Sequence, residues 1–231
     1  MDSEKEITLL TRFLSIISKG KLGVYEARAL IERFGSISEM TLLPAQQLMR
    51  VGRLSAIQAE FMAFLPQIVR RCRLEQCGNA PRLDRLEKAS AYVRALYTGS
   101  VHEQARLLCL DDRFNLIEAC LLSSGSRLET SVSPRVVMEN VLRTQTHAVI
   151  LCHNHPGGRA FFSEADVAST VAAMGYLEML DVALLDHLLA ARGEISSMRL
   201  AHYVHESRWT GGTQALPLSR WMNGAEEGER S

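Results

Sequence analysis

The sequence predicts a two-part protein, in which an all-helical N-terminal domain precedes a layered α/β domain with a mixed sheet. As far as Cys72, apolar residues recur at helical spacing and no run alternates with a period of two. A turn-rich stretch at residues 77–81 is followed by apolar strands that alternate with amphipathic helices. We therefore expect a helical domain over residues 1–78, an α/β domain over residues 82–205 and a flexible tail over residues 206–231.

The individual elements follow from hydrophobic periodicity and from the residues that interrupt it. In the helical domain, Gly35 ends the second helix and Pro66 interrupts or kinks the fourth. The predicted helices of this domain are residues 7–19, 24–34, 42–48 and 54–72. The α/β domain is predicted to contain a helix at 82–97, a hairpin of strands at 103–110 and 116–122, a helix that begins at Ser133-Pro134, a strand at 147–152, a helix at 163–177 and a strand at 182–190.

Composition excludes several classes of protein. The 231 residues are 47% hydrophobic and carry 26 basic and 26 acidic side chains, which is ordinary for a soluble globular protein. No apolar run reaches the roughly 18 residues of a membrane-spanning helix, and the N-terminus is acidic where a signal peptide would be basic. Five cysteines without a CxxC pair favour reduced thiols. We expect a cytoplasmic protein that does not bind membranes.

Residues with catalytic chemistry are concentrated at the end of the predicted strand 147–152 and just beyond it, before Pro156 ends the extended segment. His153 and His155 are two apart, so they project from the same face of the strand, and Asp166 follows in the first turn of the next helix. Two imidazoles and one carboxylate leave an open position on a tetrahedral zinc ion, as catalytic sites require. Alternatively, residues 163–166 match a capping box, in which Ser163 and Asp166 would only satisfy the helix N-terminus.

The spacing His153-x-His155-Pro156 followed by Ser163-x2-Asp166 resembles the JAMM signature of MPN-domain metalloproteases. The string HNHPGG resembles the bacterial RadC-like branch in particular, and residues 103–117, 133–137 and 193–201 agree with it. The resemblance covers about residues 82–205 and implies a mixed-sheet MPN/JAMM domain, layered like cytidine deaminases. The N-terminal helices resemble the helix-hairpin-helix-type domain that precedes it in that family.

This resemblance implies a role for each matching residue. His153, His155 and Asp166 match the zinc ligands, Ser163 matches the serine that steadies the oxyanion, and Glu103 matches the general base. Zinc lowers the pKa of bound water toward about 7, and a carboxylate can then pass the proton to the leaving amine. The expected activity is zinc-dependent hydrolysis of amide or isopeptide bonds in a protein or peptide that the sequence does not name.

Three departures from the family pattern affect substrate access and DNA binding. Gly157 replaces a usual serine and Phe162 a usual proline, which puts the shape of the access loop in doubt. Leu54 occupies the second glycine position of the helix-hairpin-helix turn, where we expect its side chain to obstruct a DNA phosphate. Arg70, Arg71 and Arg73, at the end of the last predicted helix, could contact phosphates or form a solvated face. We therefore expect weak DNA binding at most.

Other interpretations remain beside the hydrolase. Asp186-His187 interrupts an apolar strand and could support a metal ligand or form a satisfied buried pair. Zinc deaminases are excluded because they need H-x-E and a P-C-x-x-C motif. A non-enzymatic, DNA-associated accessory or repair protein with a structural metal site is the main alternative.

Overall fold

The computed structural model describes residues 2–125, 133–209 and 217–223. The chain divides into two compact units. The first consists of Met1–Arg71 with Thr98–Val101, and the second of Cys72–Tyr97 with His102–Ser231. Among the residues described, no helix combines the length and apolar character needed to cross a membrane.

The helices before the sheet are α1 (Asp2–Ile17), α2 (Val24–Phe34), α3 (Ile37–Thr41), α4 (Ala45–Gly52) and α5 (Ala56–Cys77). The predicted helix at 42–48 is confirmed in part, because residues 45–48 belong to α4 whereas residues 42–44 lie between α3 and α4, and α3 was not predicted. Ser36 caps α3 by accepting a hydrogen bond from the Glu39 amide at 3.1 Å, and Pro44 precedes α4. Pro66 lies inside α5, which continues to Cys77.

The turn between α4 and α5 differs from the sequence expectation. Arg53 adopts a left-handed backbone conformation with φ of 55°, and Leu54 is buried in the core of the helical unit. Since the Leu54 side chain points into the core, the predicted obstruction of a phosphate by this side chain is wrong. Leu54 instead contributes buried apolar surface to the core of the helical unit.

The second unit contains one five-stranded mixed sheet with the order β2-β1-β3-β4-β5. Strands β3 and β4 are parallel, and the other neighbouring pairs are antiparallel. Its elements are α6 (Leu86–Leu96), β1 (Glu103–Leu110), β2 (Leu116–Gly125), α7 (Pro134–Thr144), β3 (Ala148–Asn154), α8 (Glu164–Met179), β4 (Ala183–Ala191), β5 (Glu194–Ser197), a 3-10 turn (Glu206–Trp209) and α9 (Leu218–Asn223). Strand β5 has no counterpart among the predicted elements.

Helices cover both faces of this sheet, so β3 and β4 are buried along their whole length. Alternate strand residues separate into two apolar clusters. Ile150 and Cys152 face the cluster that contains Trp221, whereas Val149 and Leu151 face the cluster that contains Leu177 of α8. His153 continues the alternation of Val149 and Leu151 toward α8.

The C-terminal segment is more ordered than the sequence suggests. Trp209 and Trp221 are 1% and 0% exposed, and each belongs to one of the two core clusters. The predicted flexible tail is therefore wrong for residues 206–209 and 217–223, because burying an indole ring stabilises each segment against the domain. The rest of that tail, residues 210–216 and 224–231, lies outside the described residues.

The division between the units also lies elsewhere than expected. It falls between Arg71 and Cys72, within α5, whereas the sequence placed it at the turn over residues 77–81. The last turns of α5 belong to the second unit because Leu74 and Cys77 pack against the same core cluster as α6.

Candidate metal centre

The structure brings together the three residues that the sequence predicts as metal ligands. His153 lies near the end of β3, His155 directly follows the strand, and Asp166 lies in the first turn of α8. Their ligand atoms all lie within 4.8 Å of one another. His153 Nε2 is 3.1 Å from His155 Nε2 and 3.4 Å from Asp166 Oδ1. Two imidazole nitrogens and one carboxylate oxygen at this spacing fit a zinc-type cation.

His155 is held by the backbone on both sides of the strand end. Its amide donates to the Ala190 carbonyl at 2.9 Å, which extends the pairing with β4. A Cβ on Gly158 would lie 2.9 Å from His155 Cβ, so the glycine permits the chain to turn closely around this side chain. His155 Nδ1 is 3.3 Å from the Arg159 carbonyl oxygen. Because a carbonyl only accepts, Nδ1 carries a proton, and in the neutral ring Nε2 then presents a lone pair to the group.

The two carboxylate oxygens of Asp166 have different partners, since one belongs to the cap of α8 and the other faces His153. Oδ2 accepts hydrogen bonds from the Ser163 amide and the Ser163 hydroxyl, both at 2.7 Å. Ser163 Oγ in turn accepts from the Asp166 amide at 3.2 Å, which completes the capping box. Oδ1 is the oxygen that faces His153. The two interpretations of residues 163–166 are therefore compatible.

Burial controls the charge of His153, which is 2% exposed. Loss of solvation lowers the pKa of its imidazole to about 4, with Asp166 opposing the shift and His155 adding to it. His153 is therefore neutral at pH 7. A neutral imidazole is the form that binds a metal ion.

Asp186 and His187 point to opposite sides of β4. Val149 pairs with Leu184 but Ile150 pairs with Asp186, so a bulge at this point redirects the following side chains. His187 Nε2 is 2.8 Å from His153 Nδ1, on the side of α8. Burial, together with the nearby His153 and His155, holds the pKa of His187 well below its usual value.

Asp186 instead lies on the opposite side of the sheet, where it accepts several hydrogen bonds. Its carboxylate accepts hydrogen bonds from the Ser197 hydroxyl, the Trp221 indole and the amides of His187 and Arg199. Complete burial raises the pKa of Asp186 to about 6, although these donors oppose the shift. One residue of the pair thus supports a predicted ligand, and the other is a satisfied buried group.

The access loop places Phe162 against the histidines. Its ring centroid is 5.9 Å from that of His153 and 5.3 Å from that of His187, in edge-on arrangements. Phe162 is buried, whereas the neighbouring Phe161 is 66% exposed. The phenylalanine at the position of the usual proline therefore shields the two imidazoles from solvent.

The predicted general base lies on the same face as the candidate ligands. Ala105 of β1 pairs with His153, and Glu103, two residues earlier, shares the Ala105 face at the start of the strand. Glu103 is half-buried. The Asn154 side chain accepts from the Gln104 amide at 2.9 Å.

The same Asn154 side chain donates to the His102 carbonyl at 3.1 Å, which fixes the backbone on both sides of Glu103. If Glu103 were not the base, the next candidates from the sequence are Glu129 and Glu139, on the loop and helix between the hairpin and β3. Glu139 is exposed and paired with Arg135 at 2.7 Å, and Glu129 lies outside the described residues.

Thr170 and Asn154 were missed as contributors to the site. Thr170 lies one turn after Asp166 on the same face of α8, and its hydroxyl is 2.6 Å from His187 Nδ1. A polar residue four positions after a predicted ligand, on a helix rich in apolar residues, is the signal that could have identified it. Asn154 gives no comparable signal, because its partners lie on β1, about 50 residues earlier along the chain.

Comparison with known proteins identifies the family of the α/β unit. A family model described as a RadC-like JAB domain matches residues 83–203. A UPF0758 protein of Aromatoleum aromaticum is 33% identical over 181 residues, which are 78% of this chain and 80% of that protein. A UPF0758 protein of Pseudomonas fluorescens is 34% identical over 199 residues, covering 85% of this chain and 88% of that protein.

The mixed sheet and the His-His-Asp group thus define an α/β domain of the JAB/MPN class. Within that class, the chain belongs to the RadC family.

Proposed function

We propose that this protein is a zinc-dependent hydrolase of the JAMM type that cleaves amide or isopeptide bonds. The observation that carries this proposal is the convergence of His153 Nε2, His155 Nε2 and Asp166 Oδ1 at one end of the sheet. Family membership supports it, since residues 83–203 match a RadC-like JAB domain and the resemblance to the JAMM signature implies that these three residues are the zinc ligands.

A catalytic site is favoured over a structural one. Structural zinc sites have four protein ligands, whereas the group found among the described residues has three. His155 and Asp166 are both partly open to solvent, so a substrate can approach from their side. Bound zinc would supply a Lewis acid that activates water and polarises the scissile carbonyl group.

The chain's own residues would handle protons and orientation. Glu103 is on the face of the ligands, where its carboxylate could take a proton from water and deliver it to the leaving amine. The Asn154 side chain restrains the backbone around Glu103 through His102 and Gln104. Ser163 could donate to a developing oxyanion only after its hydroxyl turns away from Asp166 Oδ2, to which it now donates.

Metal analysis combined with a cleavage assay tests this proposal. We expect about one zinc per chain in the wild-type protein and a strong loss in His155→Ala. His147→Ala is the matched control, because this exposed histidine lies just before the opposite end of β3.

The cleavage assay uses a proteome-derived peptide mixture and isopeptide-linked lysine peptides, with new termini read by mass spectrometry. Cleavage that depends on zinc and on His155 supports the proposal. Equal zinc content in the wild type and His155→Ala would overturn it.

A further inference from the structure

We propose that His187 and Thr170 are positioning residues that fix the ring proton of His153 on Nδ1, and thereby keep Nε2 unprotonated for a metal ion. The metal-binding part of this inference rests on the proposed function, whereas the location of the proton does not. The inference follows from a chain of three hydrogen bonds, one partly buried and two buried, whose directions can be assigned one after another.

The chain begins at the backbone of Asp166. Thr170 Oγ1 lies 2.6 Å from the Asp166 carbonyl oxygen and 2.6 Å from His187 Nδ1. A carbonyl oxygen can only accept, and a hydroxyl has a single proton to donate. Thr170 therefore donates to Asp166, and its oxygen accepts the proton of His187 Nδ1.

The next bond fixes the direction at His187. This ring is buried, and the partners of its two nitrogens are a hydroxyl and another imidazole rather than a carboxylate, so the ring is uncharged and carries one proton. That proton is on Nδ1, which leaves Nε2 as an acceptor. His187 Nε2 is 2.8 Å from His153 Nδ1, so the proton of neutral His153 lies on Nδ1.

The result is a group of electron-rich atoms with no proton between them. His153 Nε2 faces His155 Nε2 at 3.1 Å, and the Arg159 carbonyl already holds the His155 proton on the far side of that ring. Asp166 Oδ1 is the third member of the group, 3.4 Å from His153 Nε2. Two facing lone pairs and a carboxylate repel one another unless a cation lies between them.

The surroundings prevent water from replacing these partners. Thr170 is 0% exposed, and the ring of Phe162 packs on the edges of His153 and His187. Asp166 and Thr170 are one helical turn apart on α8, so the same helix supplies a ligand and the anchor of the hydrogen-bond chain. Movement of α8 relative to β4 would disturb both together.

Two measurements on the full-length protein test this inference. The first is the ring ¹⁵N spectrum of His153 in chelator-treated protein, which reports the tautomer without any metal. The second is the zinc dissociation constant, measured by competition with a chromophoric chelator. The variants are His187→Ala, His187→Gln, Thr170→Val and Thr170→Ser.

Thr146→Val is the matched control for Thr170→Val. Thr146 is also a buried threonine whose hydroxyl bonds to backbone, with the Leu110 and Ala148 carbonyls within 2.8 Å, but it lies beyond the opposite end of β3. The two substitutions remove the same hydroxyl from similar environments. Only Thr170→Val interrupts the proposed chain.

We expect the Nδ1–H tautomer of His153 in the wild type and a mixture of tautomers in His187→Ala. Zinc affinity should fall by about 10–100-fold in His187→Ala, the usual effect of losing a partner that orients a ligand. The loss of zinc affinity in Thr170→Val should lie toward the lower end of that range, and Thr170→Ser should recover most of the affinity. His187→Gln should recover part of it, because its amide oxygen can accept from His153 Nδ1.

An unchanged tautomer and unchanged zinc affinity in both His187→Ala and Thr170→Val would overturn the inference, as would an equal loss of affinity in Thr146→Val. If His187→Ala does not fold, the threonine series still decides. A wild type that binds no zinc but shows the Nδ1–H tautomer would refute the proposed function while leaving the hydrogen-bond chain in place.

Discussion

The two compact units differ in where they keep polar side chains. Among the described residues, ten polar or charged side chains are buried, and only Gln58 and Ser100 belong to the helical unit. The remaining eight are in the α/β unit. His153, Thr170 and His187 are linked beside Asp166, and Asn154 follows His153. Ser197 and Arg199 hydrogen-bond to Asp186 in the middle of β4, and Thr146 lies before β3. Burying a polar group destabilises a fold unless the group is hydrogen-bonded. The concentration of such groups, linked by short hydrogen bonds, therefore distinguishes the α/β unit, which contains the candidate metal centre, from the helical unit.

Removal of the predicted base should have the largest effect on this region. Glu103→Gln should reduce hydrolysis by about 10²–10⁴-fold, because an amide cannot accept and return the proton. Zinc content and thermal stability should stay at wild-type values, because Glu103 is not among the candidate ligands and the two side chains have nearly the same shape.

Glu139→Gln is the control, since Glu139 is an exposed glutamate paired with Arg135. Hydrolysis that survives in Glu103→Gln but is lost in Glu139→Gln would reverse the assignment of the base.

Asp186→Asn should show how strongly the stability of the hydrogen bonds around Asp186 depends on the charge of its carboxylate. All four partners of Asp186 donate, and an amide NH₂ group cannot accept from them, so at least one donor would lose its partner. We expect the free energy of unfolding to fall by about 2–4 kcal/mol, measured by urea denaturation. Asp112→Asn, at an exposed turn, should change it little. Equal stabilities of the two variants would contradict this account of the network.

The pH dependence of stability should identify His153 as a buried neutral base. Burial lowers the pKa of His153 to about 4, below its unfolded value near 6.5, so unfolding takes up a proton in this interval. Stability contributed by His153 is therefore present above pH 6.5 and is lost as the pH falls toward 4. Asp186 acts in the opposite direction, because its raised pKa of about 6 makes its contribution decline as the pH rises through that value.

Comparing the wild type with His153→Gln separates the contribution of His153 from that of Asp186, because Asp186 is present in both proteins. In chelator-treated samples, the unfolding free energy of the wild type should fall by about 3 kcal/mol relative to His153→Gln between pH 7 and pH 4. Parallel pH profiles would show that His153 does not titrate as described.

The smallest expected effect is on DNA binding by the helical unit. We expect weak or no binding of duplex DNA in an anisotropy assay at about 50 mM salt, where phosphate contacts are strongest. Substituting Arg70 and Arg71 by alanine should then change little. Tight, steeply salt-dependent binding that is lost in the double variant would show that this unit is a DNA-binding module.

Local patterns in the sequence were sufficient to predict that His153, His155 and Asp166 come together. Strand alternation places His153 and His155 on one face, and the capping pattern places Asp166 in the first turn of α8. The RadC family resemblance, which rested on the same residues, is confirmed by the family match.

Features that depend on distant packing were missed or wrong. Strand β5 is only four residues long, and the bulge in β4 that directs His187 toward α8 has no signature in the sequence. The burial of Leu54 and of Trp221 likewise depends on the cores against which they pack. The Thr170 hydrogen bonds appear only when α8 lies beside β4.

Zinc binding by Asp166→Ala tests the central claim most directly. Asp166 Oδ1 completes the ligand group, whereas Glu164, exposed in the same turn of α8, has no place in it. We predict about one zinc per wild-type chain, the same for Glu164→Ala, and a loss of affinity in Asp166→Ala that exceeds the roughly 10–100-fold expected for an outer partner. The helical unit should remain folded in both variants by circular dichroism. Wild-type zinc affinity in Asp166→Ala would contradict the assignment of this metal centre.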